Sequence, residues 1–454
     1  MIKTSTYIKW KTIVSDCLQS PLFWLLLICF TFRNFYEHLY VPEINYYSDT
    51  VTYYYAAQHI FNGIVDAFRT PVYPIIIKVI QAIDERSVFN NIVYFQRTVS
   101  FISIIPFYLF CKRWLQAKYL QFTATLIYGC MPAILYYNVG IFPESLLLSS
   151  LTFLLYFFSE YIRQPGPGKA IMLNLFILYL VLLKPGCIYL YGVLGMIWIL
   201  KLFYEKGRTH FKYEIAGFIV SILLVFGYCL LNKKQNGILG LSTVNHDNNF
   251  ANIILSNAYK NISDKRFVAA IDSAKGKGHY YSVYYLNNDF YRYQKCYKSF
   301  PAFYPFTEDM TGVSKVPPNN YGYTRAQLDA YIKEAMLSKT YWQYIVSEFE
   351  TFTHFRLLFI SGYMLYLLFL IELVLILQLV IRRKKISWIH LFCFLVLAGI
   401  IGTTLIGGID DGTRSRVLMP VAPFLIIFII GFIDRLQITI FNKNGFRKML
   451  NYYS

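Results

Sequence analysis

Apolar runs of about 17 to 25 residues recur along nearly the whole chain, from PLFWLLLICF at residue 21 to APFLIIFIIGF at residue 422, and that length is what a hydrocarbon core of roughly 30 Å asks of a spanning helix. In lipid only helices and closed barrels satisfy every backbone polar group. The chain is 15% charged and 56% hydrophobic, against about 25% charged in a soluble domain. A soluble fold would need a stack of buried helices with almost no polar faces. The expectation is an all-α polytopic membrane protein of about ten transmembrane helices.

By amount alone, the net charge of +18 would fit a nucleic-acid binder. Its placement does not: Lys112, Arg113, Lys118, Lys206, Arg208, Lys212 and the RRKK run at 382 fall in alternate loops between apolar runs, all on the inner side, as the positive-inside rule requires. No nucleic-acid partner is expected. The eight cysteines include no CxxC pair and lie mostly in or beside apolar runs, so neither a disulfide framework nor a zinc site is indicated. Lys3, Lys9 and Lys11 precede the first run without a small-residue cleavage site, which reads as a retained first span starting in the cytoplasm.

The expected spans cover about Pro21–Tyr40, Ile92–Phe110, Phe122–Val139, Ser145–Tyr161, Ala170–Leu183, Cys187–Phe203, Tyr213–Leu231, Phe355–Ile381, Ile389–Leu405 and Val417–Ile433. Three regions follow: an N-terminal membrane region over 1–231, an extracytoplasmic cap over 232–352, and a C-terminal membrane region with a cytoplasmic tail over 353–454. Within the cap, Thr324 and Gln327 form a capping box ahead of LDAYIKEAMLSKTYWQYIVSEFE, which predicts a helix near the membrane surface. Both termini lie inside in this topology.

The topology gathers polar outliers on the outer side. The most informative stretch is the amphipathic first outer loop, within 41–90, where SDTVTYYYAAQHI predicts a helix opened by Asp49 and ended at Gly63. Arg69-Thr70-Pro71 then begins another, since Pro suits a first helical turn and Gly the residue past a helix end. Asp66 and Arg69 come from this loop, Glu144 from the second, Lys184 from the third, and Asp410, Asp411, Arg414 and Arg416 from the last. Ionisable residues at membrane depth are functional candidates.

Asp49 suits a general base that takes an acceptor proton; an N-cap is its bland role. Arg69, Lys184, Arg414 and Arg416 suit a phosphate or diphosphate, Arg by paired hydrogen bonds and Lys as a point charge, with interfacial snorkelling as the alternative. Glu144 opens a helix after Pro143, where a carboxylate favours the helix dipole, or it contacts substrate or an arginine. Asp410 and Asp411 fit a turn before Gly412. His59 reads as packing or a hydrogen-bond donor, for no two histidines show metal-ligand spacing. Tyr53 and Tyr73, flanking Asp49 and Pro71, are candidates to stack on a sugar. Asn261-Ile262-Ser263 matches a glycosylation acceptor.

S-D-T-x-x-Y-x-x-A at 48–56, R-T-P-V-Y-P at 69–74, F-P-E-S-L at 142–146, L-K-P-G at 183–186 and R-S-R-V-L-M-P-V-A-P-F-L at 414–425 resemble, in order and on one side, the motifs of GT-C membrane glycosyltransferases. The nearest group is glycosyltransferase family 39, the branch related to protein O-mannosyltransferases and lipid A aminoarabinose transferases. The resemblance runs from about Leu22 to Ile430. It implies inverting transfer from a polyprenyl-phosphate sugar to a lipid, glycan or protein acceptor at the non-cytoplasmic face of a bilayer, in a bacterial inner membrane. It implies that Asp49 activates the acceptor and that outer Arg and Lys residues bind the lipid phosphate. Family members often carry an acidic pair where this chain has Asp49-Thr50, and one arginine where it has Arg414 and Arg416; a divalent metal requirement is therefore left open, and no other cofactor is implied. Two other readings are a glycan polymerase or ligase using a diphosphate donor, which would depend on arginines in large outer loops, and a lipid-linked sugar flippase, which would carry polar residues inside its spans.

Overall fold

The computed structural model describes residues 18–41, 44, 48–66, 68–204, 211–237, 239–242, 249, 252–254, 256–276, 325–353, 356–357, 360–361, 367, 370–374, 388–407 and 419–441. Proline and glycine set several helix boundaries. Helix α1 (Pro21–Tyr40) starts with Pro in its first turn, where the missing N–H would have had no partner. Helix α2 (Ser48–His59) runs into a 3-10 turn, Ile60–Asn62, and stops at Gly63. Gly63 holds φ at 73°, a left-handed conformation open to Gly at little cost. Helix α3 (Val72–Ile83) follows Pro71. The helix end at Gly63 and the helix start after Pro71 thus form where the sequence places them.

Helices α4 (Val88–Ile102) and α5 (Ile104–Trp114) form one apolar rod over Val88–Trp114. The rod is interrupted only at Ser103, whose backbone stays in the right-handed helical region, and Pro106 cannot donate to the carbonyl four residues back. The expected third span is broken, into α6 (Lys118–Gly129) and α7 (Pro132–Asn138), with Pro132 responsible. Helices α8 (Glu144–Arg163), α9 (Pro167–Leu183), α10 (Tyr189–Tyr204, after a 3-10 turn at Pro185–Ile188) and α11 (Phe211–Asn236) complete the first half.

Helix α8 is the hub, packing on α4, α5, α7 and α9. Of its apolar window 72% is buried, against 17% in α11. Leu223, Leu224, Val220 and Phe226 of α11 are exposed, an apolar face suited to lipid rather than water. Among the described residues four helices are long and apolar enough to cross a membrane: Val88–Trp114, Glu144–Arg163, Pro185–Phe203 and Lys212–Asn236, with mean hydropathy from 1.3 to 2.3. The chain is a helical integral membrane protein. Gly129 lets α6 approach α1, since a Cβ there would overlap the Cys29 thiol.

A second, smaller core lies within the segment after α11. Ile253, Ile254, Tyr259, Ile262, Phe267 and Ile271 pack with Ile332, Ala335 and Tyr341. It joins α12 (Lys265–Gly276) to α13 (Arg325–Met336) and α14 (Lys339–Thr353). Asp264 caps α12 by accepting the Arg266 and Phe267 N–H groups at 2.9 and 3.2 Å. The hydroxyl of Tyr331 donates to its other oxygen at 2.6 Å and holds that carboxyl below its ordinary pKa.

Where the sequence suggests one continuous helix to Glu350, the structure has two. Ser338 interrupts it and caps α14, its Oγ accepting the Tyr341 N–H at 3.2 Å. Thr324 of the capping box lies outside the described residues. Arg356–Leu357 (β1) and Ile360–Ser361 (β2) pair antiparallel, Arg356 opposite Ser361, so the helix expected to begin at Phe355 does not include these residues. Most of the expected eighth span, its RRKK end and the turn with Asp410, Asp411, Arg414 and Arg416 lie outside the described residues. Helix α15 (Trp388–Gly407) and helix α16 (Ala422–Phe441), entered through a 3-10 turn at Met419–Val421, close the bundle against α8.

Candidate functional site

The S-D-T segment at 48–50 forms the first turn of α2, and R-T-P at 69–71 leads into α3. Arg69 Nη2 donates to Asp49 Oδ1, closing an ion pair between them. The guanidinium also donates from Nε to Thr52 Oγ1 at 2.8 Å, and lies 4.2 Å from the Tyr53 ring centroid and 4.3 Å from that of Phe68. Two aromatic faces and two acceptors therefore fix its plane, which suits a planar delocalised cation. Arg69 is 8% exposed and Asp49 21%, so the carboxylate is the more accessible partner.

A second ion pair links the other two motifs. Lys184 Nζ sits 3.1 Å from Glu144 Oε1, with Glu144 3% exposed and Lys184 19%. Glu144 opens α8, so it sits at the helix terminus and its ion pair is with a lysine rather than an arginine. Two threonines bind the pairs into one constellation. Thr50, beside Asp49, donates to the Ile141 carbonyl at 3.2 Å, and Thr70, beside Arg69, donates to the Leu183 carbonyl at 3.3 Å. All four motifs within the described residues thus converge.

Asp66 organises the turn between α2 and α3. Its Oδ1 accepts the Phe68 and Arg69 N–H groups at 2.8 and 2.6 Å. Burial pushes its carboxyl up to about 6, against the pull of those donors and of the Arg69 charge. His59 ends α2, ten residues beyond Asp49 and so roughly 15 Å along the axis; its ring packs edge-on against Tyr55. Tyr73 is fully buried, donates to Gln96 Oε1 at 2.8 Å and meets Tyr53 edge-on with centroids 5.0 Å apart. Both rings are buried, Tyr53 against Arg69 and Tyr73 against Tyr53. Arg414 and Arg416 lie outside the described residues.

Several contributors carry no motif. Gln96 of α4, fully buried, donates to the carbonyls of Asn138 and Gly140 at 2.9 and 2.8 Å. Asn138 in turn accepts from Ser145 Oγ at 2.7 Å and donates to Ser100 Oγ at 3.2 Å. Arg33 of α1 reaches the same Ser100 and the Gly129 carbonyl. The signal for Gln96 and Arg33 was present, as polar residues inside apolar runs. None existed for Thr52 or Phe68. Asn261 hydrogen-bonds its side chain to the Ala258 carbonyl, and Ser263 is held by Glu334, so the glycosylation-like triplet is tied into the second core. Among the described residues no group of three His, Cys, Asp or Glu side chains is arranged to hold a metal ion.

No protein-family model matches this chain, and no curated protein matches it in sequence. Among solved structures, an oligosaccharyltransferase from Archaeoglobus fulgidus in complex with zinc and sulfate aligns at 10% identity and a TM-score of 0.48, over 96% of this chain and 50% of its own. The oligosaccharyltransferase AglB of the same organism, in complex with an inhibitory peptide and a dolichol-phosphate, aligns at 10% identity and 0.45, over 94% and 51%. This chain spans about half the length of those proteins.

Proposed function

We propose that this chain is a GT-C type membrane glycosyltransferase that moves a sugar, with inversion, from a polyprenyl-phosphate donor to an acceptor on the non-cytoplasmic side. The observation that carries this reading is the accessible Asp49 carboxylate held by Arg69, stitched through Thr50 and Thr70 to the Glu144–Lys184 pair. A base beside two cations is what transfer from an anionic leaving group requires. In this reading about ten spans, both termini inside, hold the site at the outer face of a bacterial inner membrane, and the segment 232–352 forms a cap over it.

The lipid tail lies in the bilayer and the donor phosphate meets Arg69 and Lys184, joined by Arg414 or Arg416. Both described cations already face carboxylates. An arriving phosphate therefore competes with Asp49 for Arg69, and as the guanidinium turns to the phosphate the carboxylate is released toward the acceptor. Asp49 takes the acceptor proton while the sugar–phosphate bond breaks, and the cations stabilise the charge growing on the leaving group. Glu144, Asp66, Tyr53, Tyr73 and His59 support this arrangement in the reading, and a lipid, glycan or protein is the acceptor.

The test is transfer of radiolabelled sugar from polyprenyl-phosphate donors in membranes carrying the wild type or Asp49→Asn. Wild-type transfer with a loss of about 10²–10⁴-fold in the variant is expected for a general base. Full activity in a folded variant would remove Asp49 from that role. Transfer from diphosphate donors alone would replace the reading with the polymerase or ligase.

A further inference from the structure

The described residues from Gly63 to Phe68 that lead into Arg69 belong to no helix, yet their main chain is held by a distant part of the sequence. The side chain of Gln235, in the last turn of α11, bridges it twice: Oε1 accepts the Val65 N–H at 2.7 Å and Nε2 donates to the Gly63 carbonyl at 2.8 Å. Asn236 donates to the Val65 carbonyl at 2.8 Å and to Asn232 Oδ1 at 2.9 Å. The chain then turns back through Gly237, whose φ is 76°, and Asn232 fixes the turn by donating to the Gly240 carbonyl at 2.8 Å. This return brings Ser242 Oγ to the Phe68 carbonyl, to which it donates at 2.6 Å. Every main-chain contact that Gln235, Asn236 and Ser242 make here falls within the six residues before Arg69.

We infer that Gln235, Asn236 and Ser242 are positioning residues for the proposed reaction, acting through Phe68 to set the guanidinium of Arg69. The inference rests on the function proposed above and adds to it the residues that hold its phosphate-binding arginine. Phe68 is the connection: its carbonyl is tied to Ser242 while its ring lies against Arg69, whose other side is set by Tyr53 and Thr52. A backbone segment without regular hydrogen bonds is held by whatever satisfies its N–H and C=O groups. Here much of that satisfaction comes from the junction between α11 and the segment with the second core, so a shift of that junction moves Arg69 relative to Asp49.

Two measurements on the full chain in lipid nanodiscs test this. In the first, kcat and KM for sugar transfer are compared in the wild type, Gln235→Ala, Arg69→Lys and the double variant. We expect kcat in Gln235→Ala to fall about ten- to a hundredfold, the scale of a small misplacement, with little change in KM. In the Arg69→Lys background, where the aligned fork is already lost, the same substitution should add less than about twofold. Gln235→Glu keeps the oxygen that accepts the Val65 N–H and should recover part of the loss. Losses that multiply in the double variant, or a Gln235→Ala enzyme within about twofold of wild type, overturn the inference.

The second measurement needs no activity. The energetic coupling between Asp49 and Arg69, read from unfolding midpoints, should collapse toward additivity in the Gln235→Ala background. Unchanged coupling overturns the clamp, whereas absence of transfer in the wild type counts against the proposed function and leaves this second arm to decide the inference. If Gln235→Ala fails to fold, Ser242→Ala, which removes one hydroxyl, replaces it in both arms.

Discussion

The strength of the Asp49–Arg69 pair can be worked from its surroundings. With Arg69 8% and Asp49 21% exposed, the pair lies between two limits: roughly 0.2–1 kcal/mol for exposed ion pairs, and about 3–5 kcal/mol lost when one partner of a buried pair is removed. A charge-assisted hydrogen bond of about 1.5–3 kcal/mol falls between them, so a coupling of about 2 kcal/mol is expected. Arg69→Met keeps the stem but loses the pair, the 2.8 Å bond to Thr52 and the contact with two aromatic faces; the total is about 3–4 kcal/mol. Asp49→Asn keeps the shape and removes the charge. Unfolding of the wild type, the two single variants and the double variant in mixed micelles isolates the coupling. A value under about 0.5 kcal/mol, the additive limit, would show that the two groups do not act as a unit and would remove the basis for linking phosphate binding to release of the base.

Two further predictions concern the scaffold. Asp66 has its carboxyl raised by burial to about 6 from 3.8, so the folded state holds the proton more tightly. The stability this contributes is fully present below about 4 and lost as pH rises through about 6, roughly 3 kcal/mol in all at 1.36 kcal/mol per unit. Asp66→Asn should abolish that decline in unfolding midpoint between pH 4 and 6, and a wild type that matches the variant across the window would refute the assignment. Gly129→Val would drive a side chain into Cys29 and should cost about 1–3 kcal/mol by overpacking. Cys29→Gly in the same chain should restore part of it, and no restoration would place the strain elsewhere.

The first loop was legible almost to the residue, because its signals are local. An Asp in a first turn, a Gly past a helix end and a Pro at the next start each act through their own backbone, and the observed boundaries at Ser48, Gly63 and Val72 follow them. Proline misled where it fell inside the third apolar run: Pro132 leaves the hydropathy intact but breaks the helix there, and window averages do not register that. The convergence of Asp49, Arg69, Glu144 and Lys184 could be expected from sidedness alone. Their pairing could not, since charges gathered on one face can pair in several ways and only the packing of α3 on α2 and α9 on α8 selects among them. Gln235 and Ser242 were invisible for a related reason: a polar residue at the end of an apolar helix is ordinary, and its partner lies about 170 residues away.

The same pairing makes a last prediction that separates binding from chemistry. Asp49 and Glu144 compensate the charges of Arg69 and Lys184, so an incoming phosphate gains only the difference between its own contact with Arg69 and the contact it displaces. Removing the Asp49 charge removes the competitor without touching the cation. Asp49→Asn should therefore bind polyprenyl phosphate more tightly than the wild type while transferring sugar far more slowly. The gain is bounded by the pair's coupling, about 2 kcal/mol or roughly 30-fold in Kd, and competes with whatever cost Arg69 meets in turning away from Thr52. Titration of each protein in nanodiscs with polyprenyl phosphate, followed by intrinsic fluorescence, measures it. Binding that weakens in Asp49→Asn would mean that the carboxylate holds Arg69 in its receiving position rather than competing for it, and the order of events would then reverse: the base stays engaged with Arg69 until after the phosphate has docked.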